Sequence, residues 1–185
     1  MGKNILAVMV LVGLVIWGVY DSGKDSSVGG KEEISQEEVN APVGLEQGNL
    51  APDFELKTLD GKNMKLSDLR GNRVIVNMWA TWCPPCRAEM PDMQEFYETH
   101  KDKGIVILGV NLTATERQPE NIAKFIEQFG LTFPIVLDEQ SHVADLYQAV
   151  SIPTSYIIDS KGIIHQKIVG PMNKEMMEDM LLSLN

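Results

Sequence analysis

Cysteine and histidine are scarce in this chain, with two cysteines and three histidines among 185 residues. A structural zinc site wants four protein ligands, and no second cysteine pair is present to complete one. Basic residues are also in deficit: 16 Lys and Arg face 26 Asp and Glu, a net charge of −10. That balance excludes a nucleic-acid partner, because phosphate neutralisation needs Lys and Arg. No internal repeat occurs. What remains is ordinary for a globular protein: 44% of residues are hydrophobic, enough for a real core, and the length suits one domain.

The first 20 residues differ in kind. Asn4 to Tyr20 (N-I-L-A-V-M-V-L-V-G-L-V-I-W-G-V-Y) carry no charge, and a stretch of roughly 17–25 apolar residues spans a bilayer. Trp17 and Tyr20 stand at its far end, where amphipathic rings favour the interface. Lys3 precedes the stretch, so the positive-inside rule keeps the N-terminus cytoplasmic and exports the rest. The competing reading is a cleaved signal peptide. G-V-Y-D-S-G offers no A-x-A cleavage pattern, and no nearby cysteine could take a lipid. The expectation is a single-pass cell-membrane anchor over 1–20, with the remainder on the extracytoplasmic face. Residues 21–48 hold seven acids, two lysines, several Gly and Ser and no aromatic. Such a composition cannot offset its own ordering entropy and reads as a flexible acidic tether.

From 49 to 185 strand and helix signals alternate. F-E-L-K-T and M-K-L flank Asp60-Gly61, a hairpin turn. Arg73 to Trp79 (R-V-I-V-N-M-W) is a run suited to a strand buried on both faces. A helix is predicted from Pro84 to near His100, then a strand over Ile105–Val110. Pro119 opens a helix with Ile122, Phe125, Ile126 and Phe129 on one face, stopped by Gly130. Val143, Leu146, Tyr147 and Val150 predict another. Two strands flank Lys161-Gly162, and a last helix places Met176, Met177, Met180, Leu181 and Leu184 on one side as core. The pattern is an α/β fold with a mixed sheet covered on both faces.

Both cysteines lie in W-C-P-P-C-R-A-E-M-P, where the buried strand turns into a helix. Cys-x-x-Cys in that place is the sequence form of a dithiol–disulfide couple. At a helix N-terminus the unpaired N–H groups and the dipole favour a thiolate on Cys83, and Cys86 can resolve a mixed disulfide. Pro84 and Pro85 supply neither a positive charge nor an N–H to Cys83, which argues for a reductant. A static disulfide closing so small a ring would stabilise little. Cu(I) binding by the two thiolates with His142 or His165 is the alternative from another class. On a helical wheel, Met90, Met93 and Tyr97 cluster near Cys86 with Phe96 and Glu89 beside them, so Glu89 is the one carboxylate on the apolar side. Burial there would raise its pKa and let it exchange a proton with a cysteine. A glutamate at the edge of the stripe, reaching water, is the other reading.

W-A-T-W-C-P-P-C-R-A-E-M-P after a buried strand, with A-P-D-F-E-L, L-S-D-L-R-G and S-I-P-T-S-Y-I-I-D around it, resembles the membrane-anchored ResA/TlpA group of thioredoxin-fold oxidoreductases in the AhpC/TSA-like superfamily. The resemblance runs from about Asn49 to the C-terminus. It implies a thioredoxin-like domain with an N-terminal β-hairpin and a strand–helix insertion between about Leu112 and Asp138, preceded by a transmembrane helix. It implies Cys83 as nucleophile, Cys86 as resolving thiol and Glu89 as acid/base, and it matches Pro91 to the kink of the active-site helix. It assigns the substrate face to Trp82, Pro84, Ile152 and Pro153, with Pro153 in a cis peptide bond. Asn77 stands where thioredoxin carries a buried aspartate. Because an amide takes no proton, that duty would pass to Glu89.

Peroxiredoxins share A-P-D-F but need P-x-x-x-T-x-x-C, and neither cysteine here has a threonine three residues before it. Sco-type copper chaperones use a spacing one residue longer. The resemblance implies a protein-disulfide reductase for exported proteins, apocytochrome c foremost, with spore-envelope proteins as another class. It also implies a transmembrane thiol donor of the CcdA/DsbD type. No cofactor or metal ion is expected, the redox group being the Cys83–Cys86 pair itself.

Overall fold

The computed structural model describes residues 41–184. The anchor expected at Asn4–Tyr20, and the tether up to residue 40, lie outside them. No helix among the described residues is long and apolar enough to cross a membrane.

The chain is organised around β3 (Arg73–Trp79), whose residues from Val74 to Trp79 are all buried. A strand with neighbours on both edges and packing on both faces has no use for alternation, which is why its sequence is nearly continuously apolar. It pairs in parallel with β4 (Ile105–Asn111) and antiparallel with β6 (Thr154–Ile158). Outside β4 lie β5 (Ile135–Leu137) and the hairpin β1 (Glu55–Thr58) and β2 (Asn63–Lys65); outside β6 lies β7 (Ile164–Val169). The seven-stranded order is β2-β1-β5-β4-β3-β6-β7. The hairpin closes at Gly61, whose φ of 80° suits a residue without Cβ.

Strand parity decides which side chains reach the site. Ile75 and Trp79 point to one face, where they pack with Cys86, Met90, Met93 and Phe96 of α1 (Pro84–His100) and with Met177 and Leu181 of α4 (Lys174–Leu182). Val74, Val76 and Met78 point to the other, against Leu66, Tyr156 and residues of α3 (His142–Leu146) and its end. Asn77, between Val76 and Met78, shares the α1 face. The stripe of α1 is the predicted one: Cys86, Glu89, Met90, Met93, Phe96 and His100 are buried. Each large apolar side chain buried in this way contributes roughly 1.5–3 kcal/mol. Pro91 sits inside α1 without ending it. In α2 (Asn121–Phe129), Ile122 and Phe125 face the core, and Gly130 stops the helix at φ 61°.

Three sequence expectations need correction. The helix drawn through Val150 ends at Leu146, and Val150 is 98% exposed. The Tyr156 hydroxyl, reaching from β6, occupies the Tyr147 carbonyl at 2.8 Å, and Gln148 turns to φ 50°. In α4 the buried face is carried by Met177 and Leu181, while Met176 is exposed. Pro42 to Gly48, assigned by composition to the tether, are hydrogen-bonded to the domain. Pro42 and Gly44 exchange bonds with Leu50, and the Gly48 amide donates to the Ile164 carbonyl at 2.8 Å. Composition hides this because the bonds are all main-chain.

Candidate active site

The two cysteines sit where β3 hands over to α1. Cys83 is the N-cap of α1 in extended conformation, and its Sγ accepts the Cys86 amide at 3.3 Å. Pro84 and Pro85 fill the preceding helical positions, so of the first-turn positions only Cys86 supplies an N–H to that sulfur. The cysteines are joined as a disulfide with Cα atoms 5.3 Å apart. Cys86 is fully buried and Cys83 nearly so, while Pro84, Pro85 and Trp82 are exposed beside them.

Two other segments converge here. The Ile152–Pro153 peptide bond is cis, and the Ile152 carbonyl oxygen lies 3.6 Å from Cys83 Sγ. The second segment precedes α2. Glu116 accepts from the Thr81 amide at 2.7 Å, the Thr81 hydroxyl at 2.5 Å and the Asn111 side-chain amide at 3.0 Å. The Trp82 indole N–H donates to Thr115 Oγ1 at 3.2 Å. The turn carrying the nucleophile position is therefore tied to the 113–117 loop on one side and faces the Ile152 carbonyl on the other.

Glu89 lies one turn beyond Cys86 and is buried. Its Oε1 accepts from Asn77 Nδ2 at 2.9 Å and its Oε2 from the Met172 amide at 3.0 Å. Asn77 Nδ2 also donates to Ser155 Oγ at 2.9 Å, across the antiparallel register that sets Asn77 opposite Ser155. Burial pushes the carboxyl up from 4.5 to about 7, against the Met172 amide and Asn77, which favour the charged form. A carboxyl at about 7 is the one acid here matched to proton transfer near neutrality. The edge-of-stripe alternative is thus replaced by a buried, hydrogen-bonded carboxyl.

The histidines weighed for copper lie elsewhere. His165 contacts Asp159 at 3.3 Å, and His142 begins α3. Neither joins the cysteines in a group of three or more metal-ligating side chains among the described residues.

Comparison with known proteins finds the AhpC/TSA family model matching residues 47–167. The chain belongs to the AhpC/TSA family. Among the relatives in this family, the thioredoxin-like protein YneN of Bacillus subtilis is 39% identical over 176 residues, covering 95% of this chain and 94% of the relative. The thiol-disulfide oxidoreductase ResA of Geobacillus kaustophilus is 46% identical over 137 residues, 74% of this chain and 77% of that one. Among solved structures, StoA of Bacillus subtilis superposes with a TM-score of 0.63 at 34% identity, covering 72% of this chain and 98% of that one. A thioredoxin-family thiol:disulfide interchange protein of Chlorobium tepidum does so at 0.67 and 30%, covering 75% and 97%. This AhpC/TSA member is a ResA-type, thioredoxin-fold thiol-disulfide oxidoreductase, and its disulfide occupies the position the motif assigned.

The structure sets Cys83 and Cys86 at the start of α1 beside Trp82 and Pro84, brings the Ile152 carbonyl to 3.6 Å from Cys83 Sγ ahead of cis-Pro153, and joins Glu89 to Asn77. The partners of Glu89 were not foreseen: Asn77 was singled out only as standing where thioredoxin carries an aspartate, and its bond to Glu89 emerges from the fold. Ser155 was findable, since strand parity two residues past Pro153 sets it toward Asn77. The Met172 amide and the Glu116 bonds left no mark in the sequence, because a main-chain donor and a loop carboxylate have no periodicity.

Proposed function

We propose that the protein is an extracytoplasmic reductase of disulfides in exported proteins. The observation that supports the reducing direction is the thin stabilisation of Cys83: two prolines at the helix start leave it the Cys86 amide alone. A poorly stabilised thiolate gives up its electrons readily. In the forward reaction the Cys83 thiolate attacks a client disulfide. The new Cys83–client bond forms as the client bond breaks, releasing one client thiolate. Cys86 then loses its proton to the Glu89 carboxylate and attacks Cys83 Sγ. The second client thiolate leaves and takes up a proton, and Cys83–Cys86 is oxidised by two electrons. Trp82, Pro84, Ile152 and Pro153 supply the face against which the client lies, with Ile152 offering its main chain.

Re-reduction requires a donor, because the exterior lacks a thiol buffer. A transmembrane donor of the CcdA/DsbD type fits a domain held to the membrane by the uncharged stretch from Asn4 to Tyr20. Apocytochrome c, whose haem site is itself a Cys-x-x-Cys, is the leading client by analogy with the ResA relatives. Exported spore-envelope proteins are the second class, and Cu(I) delivery is the reading from outside redox chemistry. The test is Cys86→Ala, which should leave clients covalently held on Cys83 for identification. A reduction potential near about −120 mV, the range of strong oxidants, or stoichiometric Cu(I) binding without reductase activity, would overturn the proposal.

A further inference from the structure

Beside the nucleophile position lies an open cleft of about 700 Å³. It is lined by Trp82, Arg87 of α1, Phe125 and Lys124 of α2, and Glu116 and Arg117 of the loop before α2. Its charge is at odds with the rest of the domain. From residue 41 onward 13 Lys and Arg face 20 Asp and Glu, yet three of those cations line this one cleft with a single carboxylate. That carboxylate is already committed, since Glu116 accepts both Thr81 donors and the Asn111 amide. Glu120 and Glu127 of the same region do not line it.

The cations themselves are unneutralised. Arg117 and Lys124 are exposed, and neither forms an ion pair among the described residues, whereas Lys62, Lys65, Lys101 and Lys174 all do. Arg87 donates to the Thr81 carbonyl at 3.3 Å and lies over the rings of Phe125 and Phe129 at 5.1 and 5.2 Å. It holds its position without an acid. A preformed cationic cleft ending at the residue before the nucleophile is a place where an anionic chain can be held while its sulfur reaches Cys83.

We propose that this cleft is a specificity subsite for client proteins, taking a segment rich in aspartate and glutamate next to the disulfide to be reduced. The inference rests on Cys83 being the client-attacking thiol, as argued above. It opposes what the whole-domain charge alone would favour, because a net-acidic protein attracts basic clients at long range. The local and global fields therefore make opposite predictions.

The experiment uses the full-length protein and two synthetic peptides. Each is closed by one internal disulfide, flanked by Asp and Glu in one and by Lys in the other. Reduced protein should turn over the acidic peptide about tenfold faster in kcat/KM at low salt, the preference shrinking as salt screens it. In the double variant Arg117→Glu, Lys124→Glu the acidic-to-basic ratio should fall below one. A second arm titrates the oxidised protein with the acidic peptide carrying serine for cysteine, and the variant should bind it about tenfold more weakly. An unchanged ratio in the variant, or a wild-type preference for the lysine peptide, overturns the subsite. If neither peptide is reduced, the reductase reading fails, and the binding arm still decides the cleft.

Discussion

Glu89 owes its proton affinity to opposing influences that one substitution can separate. Burial raises it to about 7, and the Met172 and Asn77 donors limit the rise. Because the folded carboxyl holds its proton up to about 7 and the unfolded one only to 4.5, the native state binds the extra proton between those values. Stability therefore falls as pH rises through that window and is flat above it, the buried charge costing about 3 kcal/mol at pH 8. Glu89→Gln should remove that dependence and leave the variant more stable than the parent above pH 7, as measured by urea unfolding from pH 4 to 9. Asn77 can accommodate the glutamine: its Oδ1 has no partner among the described residues, and turning the amide would offer that oxygen to an N–H at position 89. The same turn would serve a protonated carboxyl. Reductase activity should drop about a hundredfold or more in the variant and lose its inflection near pH 7. An unaltered pH profile would remove Glu89 from the mechanism.

At the scale of elements, legibility follows the origin of each signal. Residues 73–79 and 84–100 appear as read, since a continuous apolar run and a 3.6-residue stripe are properties of the segment itself. The α3 helix fell short of its pattern because Tyr147 answers to Tyr156 across the core and to Pro52, whose carbonyl accepts the Tyr147 hydroxyl at 2.6 Å. In the site, Cys83 and Cys86 were legible from spacing and Glu89 from the family resemblance, the wheel alone leaving its role open, but the loop that ties down their turn was not legible, because Glu116 acts from 35 residues away. That loop is testable. Glu116→Ala strands the Thr81 amide and the buried Asn111 side chain, at a cost of about 1–3 kcal/mol per unsatisfied group. The expected result is a lowered denaturation midpoint together with faster hydrogen exchange at Thr81. Unchanged exchange there would mean that the turn is held by α1 alone.

For the whole molecule, the described segment leading in from residue 41 is bridged to the edge of the sheet. Gly48 donates to the Ile164 carbonyl and the Ile164 amide returns a bond to Asn49, so the lead-in covers part of the outer edge of β7. Uncovered edges invite pairing with other chains. A chain begun at Ala51 should be roughly 1–3 kcal/mol less stable than one begun at Ala41, given about 1 kcal/mol per hydrogen bond, and should self-associate in light scattering. Equal stability of the two would make the lead-in incidental. The same bonds have a mechanical meaning. Tension applied through the N-terminus is met first by the bonds of Pro42 and Gly44 to Leu50, then by those of Gly48 and Asn49 to Ile164, and only afterwards by the Ala51 amide on the Gly162 carbonyl and by β1. Cys83, Glu89 and Glu116 form none of these contacts, so the lead-in acts as a strain relief that isolates the redox centre from pull on the chain.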